Sequence, residues 1–308
     1  WFDADANSVE MVKQPDLTFD RVLAYTGDEN RVPMAVDDSL GLVIWYDRTL
    51  DKVEFVGGGA KAANLPISGT PSTAAKRIQF WGGQSNATGA GSGSALTTSQ
   101  PYSNVMFNGG AQPGTEQNFA ETDVGFYASL SALVESSYET PVSACANVTR
   151  TLAARGGEDP NGVAILGVGV GLGGSAISGI SEGSAQYIGT VLRTFTQIDS
   201  IDSGYELAVI NFSQGETEQQ GETVTKAAYQ ADLEQFLADI DADAKSELGQ
   251  SSDVYMLVSQ TSDNTDSYAE ISKAQLAAAQ ENDRIFLTVP LYYLSYGSSD
   301  GLHINESG

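Results

Sequence analysis

A serine set between a pair of glycines and a run of small residues, Gly82-Gly83-Gln84-Ser85-Asn86, and the chain's single histidine, His303, supply the two halves of a nucleophile and base pair. With one imidazole there is no choice of histidine base. Asp300 stands three residues before it, and on one turn that spacing lets a carboxylate reach a ring nitrogen, fix the tautomer and stabilise the imidazolium formed when a serine gives up its proton. A hydroxyl activated in this way attacks an acyl carbon, and the oxyanion that develops needs preorganised N–H donors. Ser85 can supply its own N–H from a helix start. The stretch GVGVGLGGSAI offers the N–H groups of Gly173 and Gly174, and INFSQGETE offers the side-chain amide of Gln214. Each residue also has a plainer use: a serine here can cap a helix, and a lone histidine can be an ordinary surface or core residue.

Other patterns point elsewhere and are poorly placed. Gly169-Val170-Gly171-Leu172-Gly173-Gly174 satisfies G-x-G-x-x-G, but it follows the second apolar run, precedes a poor helix start and lacks the acid expected about twenty residues on, which disfavours a dinucleotide-binding oxidoreductase. Glu216 and Glu218 could be a carboxylate pair for glycoside hydrolysis, yet acids this close on one loop seldom flank a sugar. The lone Cys145 excludes an internal disulfide and any multi-cysteine metal site, and reads as a small buried residue on a helix. No metal is expected. Tyr102, Phe107, Tyr292, Tyr293 and Tyr296 fall in loops or strand ends where rings could stack on a sugar, with ordinary packing as the competing use. Tyr296, shortly before Asp300, and Asn86, next to the nucleophile, are the candidate substrate contacts.

The chain has 308 residues, with 40 acids against 15 Lys and Arg and a formal charge of −25. That field repels phosphate backbones and anionic membrane surfaces, so nucleic acid is not an expected partner. The acids are spread along the whole chain, as on a solvated surface suited to saline surroundings. No run of about eighteen apolar residues suggests membrane insertion, and residues 1–10 lack the layout of a signal peptide. A start at Trp1 and an end at Gly308 read as a processed or excised product, located outside the cell or on a particle or cell surface.

The elements that must position these residues follow from the pattern. Short apolar stretches separated by polar turns (VEMV, RVLAYT, GLVIWYD, KVEFV) make residues 1–56 a small β-rich module, and the Gly, Ala, Ser and Pro-rich residues 57–75 a linker. From residue 76 to 308, five apolar runs (RIQFW, VAILGV, YELAVINF, VYMLVSQ, RIFLTV) alternate with helical segments at about 118–155, 185–199, 224–247 and 266–282. Near-continuous apolar strands joined by helices predict a five-stranded parallel sheet covered on both faces, a three-layer α/β domain. Ligands of such sheets sit at the carboxyl ends of the strands, which is where the candidate residues stand.

Taken in order, Gly83-Gln84-Ser85-Asn86, Gly173-Gly174-Ser175, Gln214-Gly215-Glu216-Thr217 and Asp300-x-x-His303 resemble the blocks of the SGNH hydrolase superfamily, nearest its sialate O-acetylesterase-like and acetylxylan esterase-like carbohydrate esterases. The resemblance covers about residues 76–308. It implies a flavodoxin-like α/β/α fold and hydrolysis of an acetyl ester on a glycan without a cofactor. Ser85 would be the nucleophile, His303 the base and Asp300 its orienting acid. Ser85, Gly173, Gly174 and Gln214 would form the oxyanion hole, and Glu216 would brace its loop. The chain departs from the family in stopping five residues after the histidine, where members continue for a helix, and in carrying the N-terminal β segment. The alternative is a non-catalytic glycan-binding or structural virion or surface protein on an esterase-like scaffold, part of a larger assembly or a homo-oligomer. Retention of the whole residue set disfavours it.

Overall fold

In this computed structural model, residues 70, 72–113, 124–155, 157–221, 224–261, 270–288 and 303 are described in full, together with the backbone of five N-terminal strands. The chain divides into two compact units, Trp1–Ile67 and Ser68–Gly308. In the first, β1 (Phe2–Asp3) and β2 (Ser8–Val9) form an antiparallel pair, and β3 (Arg31–Asp37), β4 (Leu42–Asp47) and β5 (Lys52–Gly57) form an antiparallel meander. The β3 to β4 register shifts between Pro33 and Ala35, where a proline cannot donate to the ladder. The apolar stretch RVLAYT and most of residues 57–75 lie outside the described residues.

The second unit is α/β. Its strands are β6 (Lys76–Gly83), β7 (Val105–Phe107), β8 (Leu130–Ala132), β9 (Ala164–Gly169), β10 (Tyr205–Ser213), β11 (Tyr255–Ser259) and β12 (Ile285–Leu287). They lie in the order β12-β11-β10-β6-β9-β7-β8. All neighbours pair in parallel except β7 and β8. All five apolar runs of the sequence are strands of this sheet. It is nevertheless a mixed, seven-stranded sheet, because two strands of three residues, too short for a periodic signal, extend it beyond β9.

The helices are α1 (Pro141–Arg155), α2 (Ala185–Tyr187), α3 (Arg193–Ile201), α4 (Glu216–Gly221), α5 (Lys226–Leu248) and α6 (Glu270–Glu281). A π-helical turn, Ile188–Leu192, joins α2 to α3. The helix expected over 118–155 starts only at Pro141, whose fixed φ and missing N–H suit a first helical position and no later one. Upstream, Asn108 holds the chain in other shapes, its amide donating to Gly125 O and its oxygen accepting from the N–H groups of Ala128 and Ser129. The longest helix, α5, has conventional ends. Thr225 caps its first turn by accepting from Ala228 N–H, and Gly249 leaves it in the left-handed conformation.

Alternate strand residues bury in different clusters, so the sheet has helices on both sides. Ile78 and Phe80 of β6 join a large core with Phe195 of α3 and Leu233 and Phe236 of α5. Trp81 of β6 packs instead with Ile165 of β9 and with Val142 and Ala146 of α1. Burying a Phe or Leu in this way is worth about 2–3 kcal/mol each. Among the described residues no helix is long and apolar enough to cross a membrane.

Glu139, just before α1, secures the long connection that leaves the end of β6. It accepts from the N–H groups of Leu96 and Thr97 at 2.7 and 2.8 Å, and from the hydroxyls of Thr97 and Ser143. Desolvation works to raise its pKa, but these donors outweigh it and hold the carboxyl below the ordinary glutamate range. A depressed carboxyl adds stability above its unfolded pKa of about 4.3 and loses it as the pH falls through the folded value. Glu139→Gln should therefore melt several degrees below the parent at pH 7, with the gap closing below about pH 4. Calorimetry across pH checks this, and a gap that does not depend on pH would remove the charge from the account.

Candidate active site

The chain runs from β6 to β9 on one side, then returns across the sheet to β10 on the other. The order of the strands thus reverses between β6 and β10, and the crevice outside their carboxyl ends is where open α/β sheets bind ligands. Ser85 follows β6 at this point. Gly83 leaves the strand with φ +127°, and a Cβ there would lie 1.8 Å from the carbonyl oxygen of Ser213 at the end of β10. Only glycine fits. The close approach lets Gln84 N–H donate to that same oxygen at 2.9 Å. Residues 84–91 then form hydrogen-bonded turns instead of the expected regular helix, because Gly89 and Gly91 take left-handed φ values of 79° and 84°. Ser85 is half-buried, its carbonyl accepting from Thr88 and Ala90 N–H.

Two neighbouring loops close around this turn. After β9, Val170 N–H donates to Trp81 O and Leu172 N–H to Gly83 O, both at 2.9 Å, which lays the glycine run against the end of β6. Side chains built at Gly173 or Gly174 would meet open space. The N–H groups of Ser85, Gly173 and Gly174 have no acceptor among the described residues. No helix opens on this run, as a dinucleotide motif requires; the first turn of 3-10 helix is Ile177–Gly179, and α2 starts at Ala185.

After β10, Gly215 turns with φ +124° under Ile271 and Thr261, and α4 begins at Glu216. Asn86 Nδ2 donates to Glu216 Oε1 at 3.2 Å, and Thr217 N–H donates to Gln84 Oε1 at 3.2 Å. Asn86, a candidate substrate contact, is therefore tied to the floor of the site.

Gln214 is fully buried, and its amide protons are engaged: Nε2 donates to Glu218 Oε2 at 2.7 Å and to Ser175 O at 3.3 Å. Its Oε1 accepts from the Tyr229 hydroxyl, and its carbonyl accepts from Tyr229 and from Gln275 Nε2 at 2.8 Å. Glu218 completes the frame by accepting from Ile177 N–H at 2.6 Å, so one carboxylate joins the loops after β9 and β10. Burial pushes the Tyr229 hydroxyl well above its ordinary range, with Glu218 and Glu216 adding to the effect, and it stays a donor. Glu218 is used inside the protein and does not face a sugar across a cleft.

His303 is half-buried and stands beyond β12. Asp300, Tyr292, Tyr293 and Tyr296 lie outside the described residues. Two aromatic candidates belong to the framework: Phe107 is buried in β7 against the Tyr127 ring at 4.9 Å, and the Tyr102 hydroxyl bonds Thr151 of α1 at 2.8 Å. Cys145 lies on α1, where Gln79 Nε2 donates to its sulfur and burial pushes the thiol pKa up. Among the described residues no group of His, Cys, Asp and Glu is placed to hold a metal ion.

Sequence reasoning missed the loop-bracing use of Gln84 and Glu218, both of which it named, and missed Tyr229 and Gln275 altogether. Tyr229 looks like any other core position of α5. Gln275 did carry a signal, a glutamine on the buried face that α6 makes from Ile271, Ala274 and Ala278.

No family model matches the chain, and no curated protein matches it in sequence. Among solved structures, a protein of Arabidopsis thaliana superposes with a TM-score of 0.51 at 15% identity, over 75% of this chain and 91% of that one. NanS gives a TM-score of 0.49 at 14% identity, over 74% and 80%. At 15% identity the likeness to the plant protein is one of fold.

Glu218→Gln keeps the shape but sets an amide NH2 against one of two donors in a buried site. It should cost about 3 kcal/mol of stability in urea unfolding, and Tyr229→Phe about 1 kcal/mol. Unchanged midpoints in both variants would mean that the frame does not hold the loops.

Proposed function

We propose that the chain is a serine esterase that removes O-acetyl groups from a carbohydrate, with Ser85 as nucleophile, His303 as base and Asp300 as its orienting acid. The observation that carries this reading is the placement of Ser85. It is half-buried at the strand-order reversal, between two loops stitched to it by hydrogen bonds, with the N–H groups of Ser85, Gly173 and Gly174 open beside it. The order of the four motifs supports the SGNH assignment. So does the sheet: counted along the chain, β6, β9, β10, β11 and β12 lie 2-1-3-4-5, the order of flavodoxin-like α/β/α folds. Residues 1–56 are then a β module appended to a hydrolase domain at 76–308, acting outside the cell or on a particle surface.

In the mechanism, Ser85 Oγ attacks the acetyl carbonyl while His303 takes the hydroxyl proton, and the oxyanion is held by the Ser85 and Gly173 or Gly174 N–H groups. Collapse releases the sugar, which takes its proton from the imidazolium. Water then cleaves the acetyl-enzyme to acetate by the same route. Gln214 adds a third donor only when its 3.3 Å bond to Ser175 O opens. Otherwise it holds the two loops at their spacing.

Ser85→Ala should lower acetate release from acetylated glycans at least about a thousandfold while the melting temperature stays unchanged. A chelator should leave the parent's turnover untouched. Comparable turnover by the folded variant would overturn the assignment.

A further inference from the structure

Resting on that reading of the site, we infer that the esterase takes O-acetylated sugars carrying no anionic group and discriminates against sialates and uronates. Six of the nine cations of the unit Ser68–Gly308 stand at the amino-end edge of the sheet, opposite Ser85. Lys76 and Arg77 open β6 at its amino end, where Lys76 pairs with Asp202 and Arg77 donates to Ala74 O. Arg150 is spent on the carbonyls of Asp159 and Pro160 ahead of β9. Lys245 and Arg284 share Asp241 and Asp253 ahead of β11 and β12. Arg155 ends α1, also ahead of β9.

The opposite edge has the reverse composition. Five segments follow the carboxyl ends of β6, β9, β10, β11 and β12: 84–104, 170–192, 214–225, 260–272 and 288–308. None contains a Lys or Arg, and every one except the first carries acids. This holds for the whole of each segment, since it is a property of the sequence. The unit's remaining three cations follow those segments on helices, two of them in the first turns of α5 and α6 at this same edge. Arg193 opens α3, Lys226 is the exposed first residue of α5, and Lys273 is 60% exposed beside Glu270.

A carboxylated sugar loses hydration on entering a site and needs a cation, best a bidentate Arg, in compensation. The described loops after β6, β9 and β10 have none to offer and carry Glu182, Glu216 and Glu218, a like charge that lowers both encounter rate and affinity for an anion. A neutral acetyl sugar feels little of this. The product acetate, released as an anion with a proton passed to solvent, is pushed out by the same field.

The test uses the full chain and a matched pair of substrates, an O-acetylated methyl glucoside and the methyl glucuronide acetylated at the same hydroxyl. The glucoside should be preferred in kcat/KM by about tenfold or more near 0.01 M salt. The preference should narrow toward 1 M, as the Debye length falls from about 30 to about 3 Å. Equal rates, or a faster glucuronide, would overturn the inference and leave the esterase reading standing. Release of acetate from neither sugar would overturn the esterase reading, and the inference with it.

Discussion

The candidate site depends on one close backbone contact. At the ends of β6 and β10 the two chains approach so nearly that Gly83 has no room for a Cβ, and Gln84 N–H closes onto Ser213 O at 2.9 Å. This contact converts the end of a buried strand into a tight reversal and delivers Ser85 to the crevice. The glycine run after β9 is fixed to the same reversal from the other side, through Leu172 N–H and Gly83 O. A nucleophile held on rigid strand ends keeps its distance from backbone donors without reorganisation, which is the condition under which such donors stabilise a developing charge.

Beneath that contact lies a buried polar layer whose members satisfy one another. Gln214, Glu218, Tyr229, Gln275 and the backbone of Ser175 and Ile177 exchange hydrogen bonds in a region closed to water. Such a layer is costly to disturb, because each partner removed strands another in a medium of low dielectric. It also explains why acids so near Ser85 need not be catalytic. Glu218 sets loop spacing, and Glu216 restrains Asn86.

Much of the α/β unit was legible because its signals are strong ones. Five apolar runs could only be buried strands, and glycines, a serine and a glutamine just after them had to fall on one sheet edge. What failed did so for local reasons. β7 and β8 are too short to show a period, and Pro141 and Asn108 override the apparent helix upstream of α1. Phe107 and Tyr102 look like sugar-stacking rings but are claimed by a neighbouring ring and by a helix hydroxyl. The use of Gln214 was the hardest to foresee, since it depends on Glu218, four residues on, which the sequence offers only as half of a poorly placed carboxylate pair. The absence of Lys and Arg from the segments that follow β6, β9, β10, β11 and β12, by contrast, is readable from the sequence once the strand ends are known.

The central claim is that Ser85 is an activated nucleophile, and a fluorophosphonate probe with peptide mapping by mass spectrometry tests it most directly. The account predicts a single adduct, on the peptide that contains Ser85, which disappears in a folded His303→Ala variant. A chain that stays unlabelled, or one labelled at another serine, would contradict it.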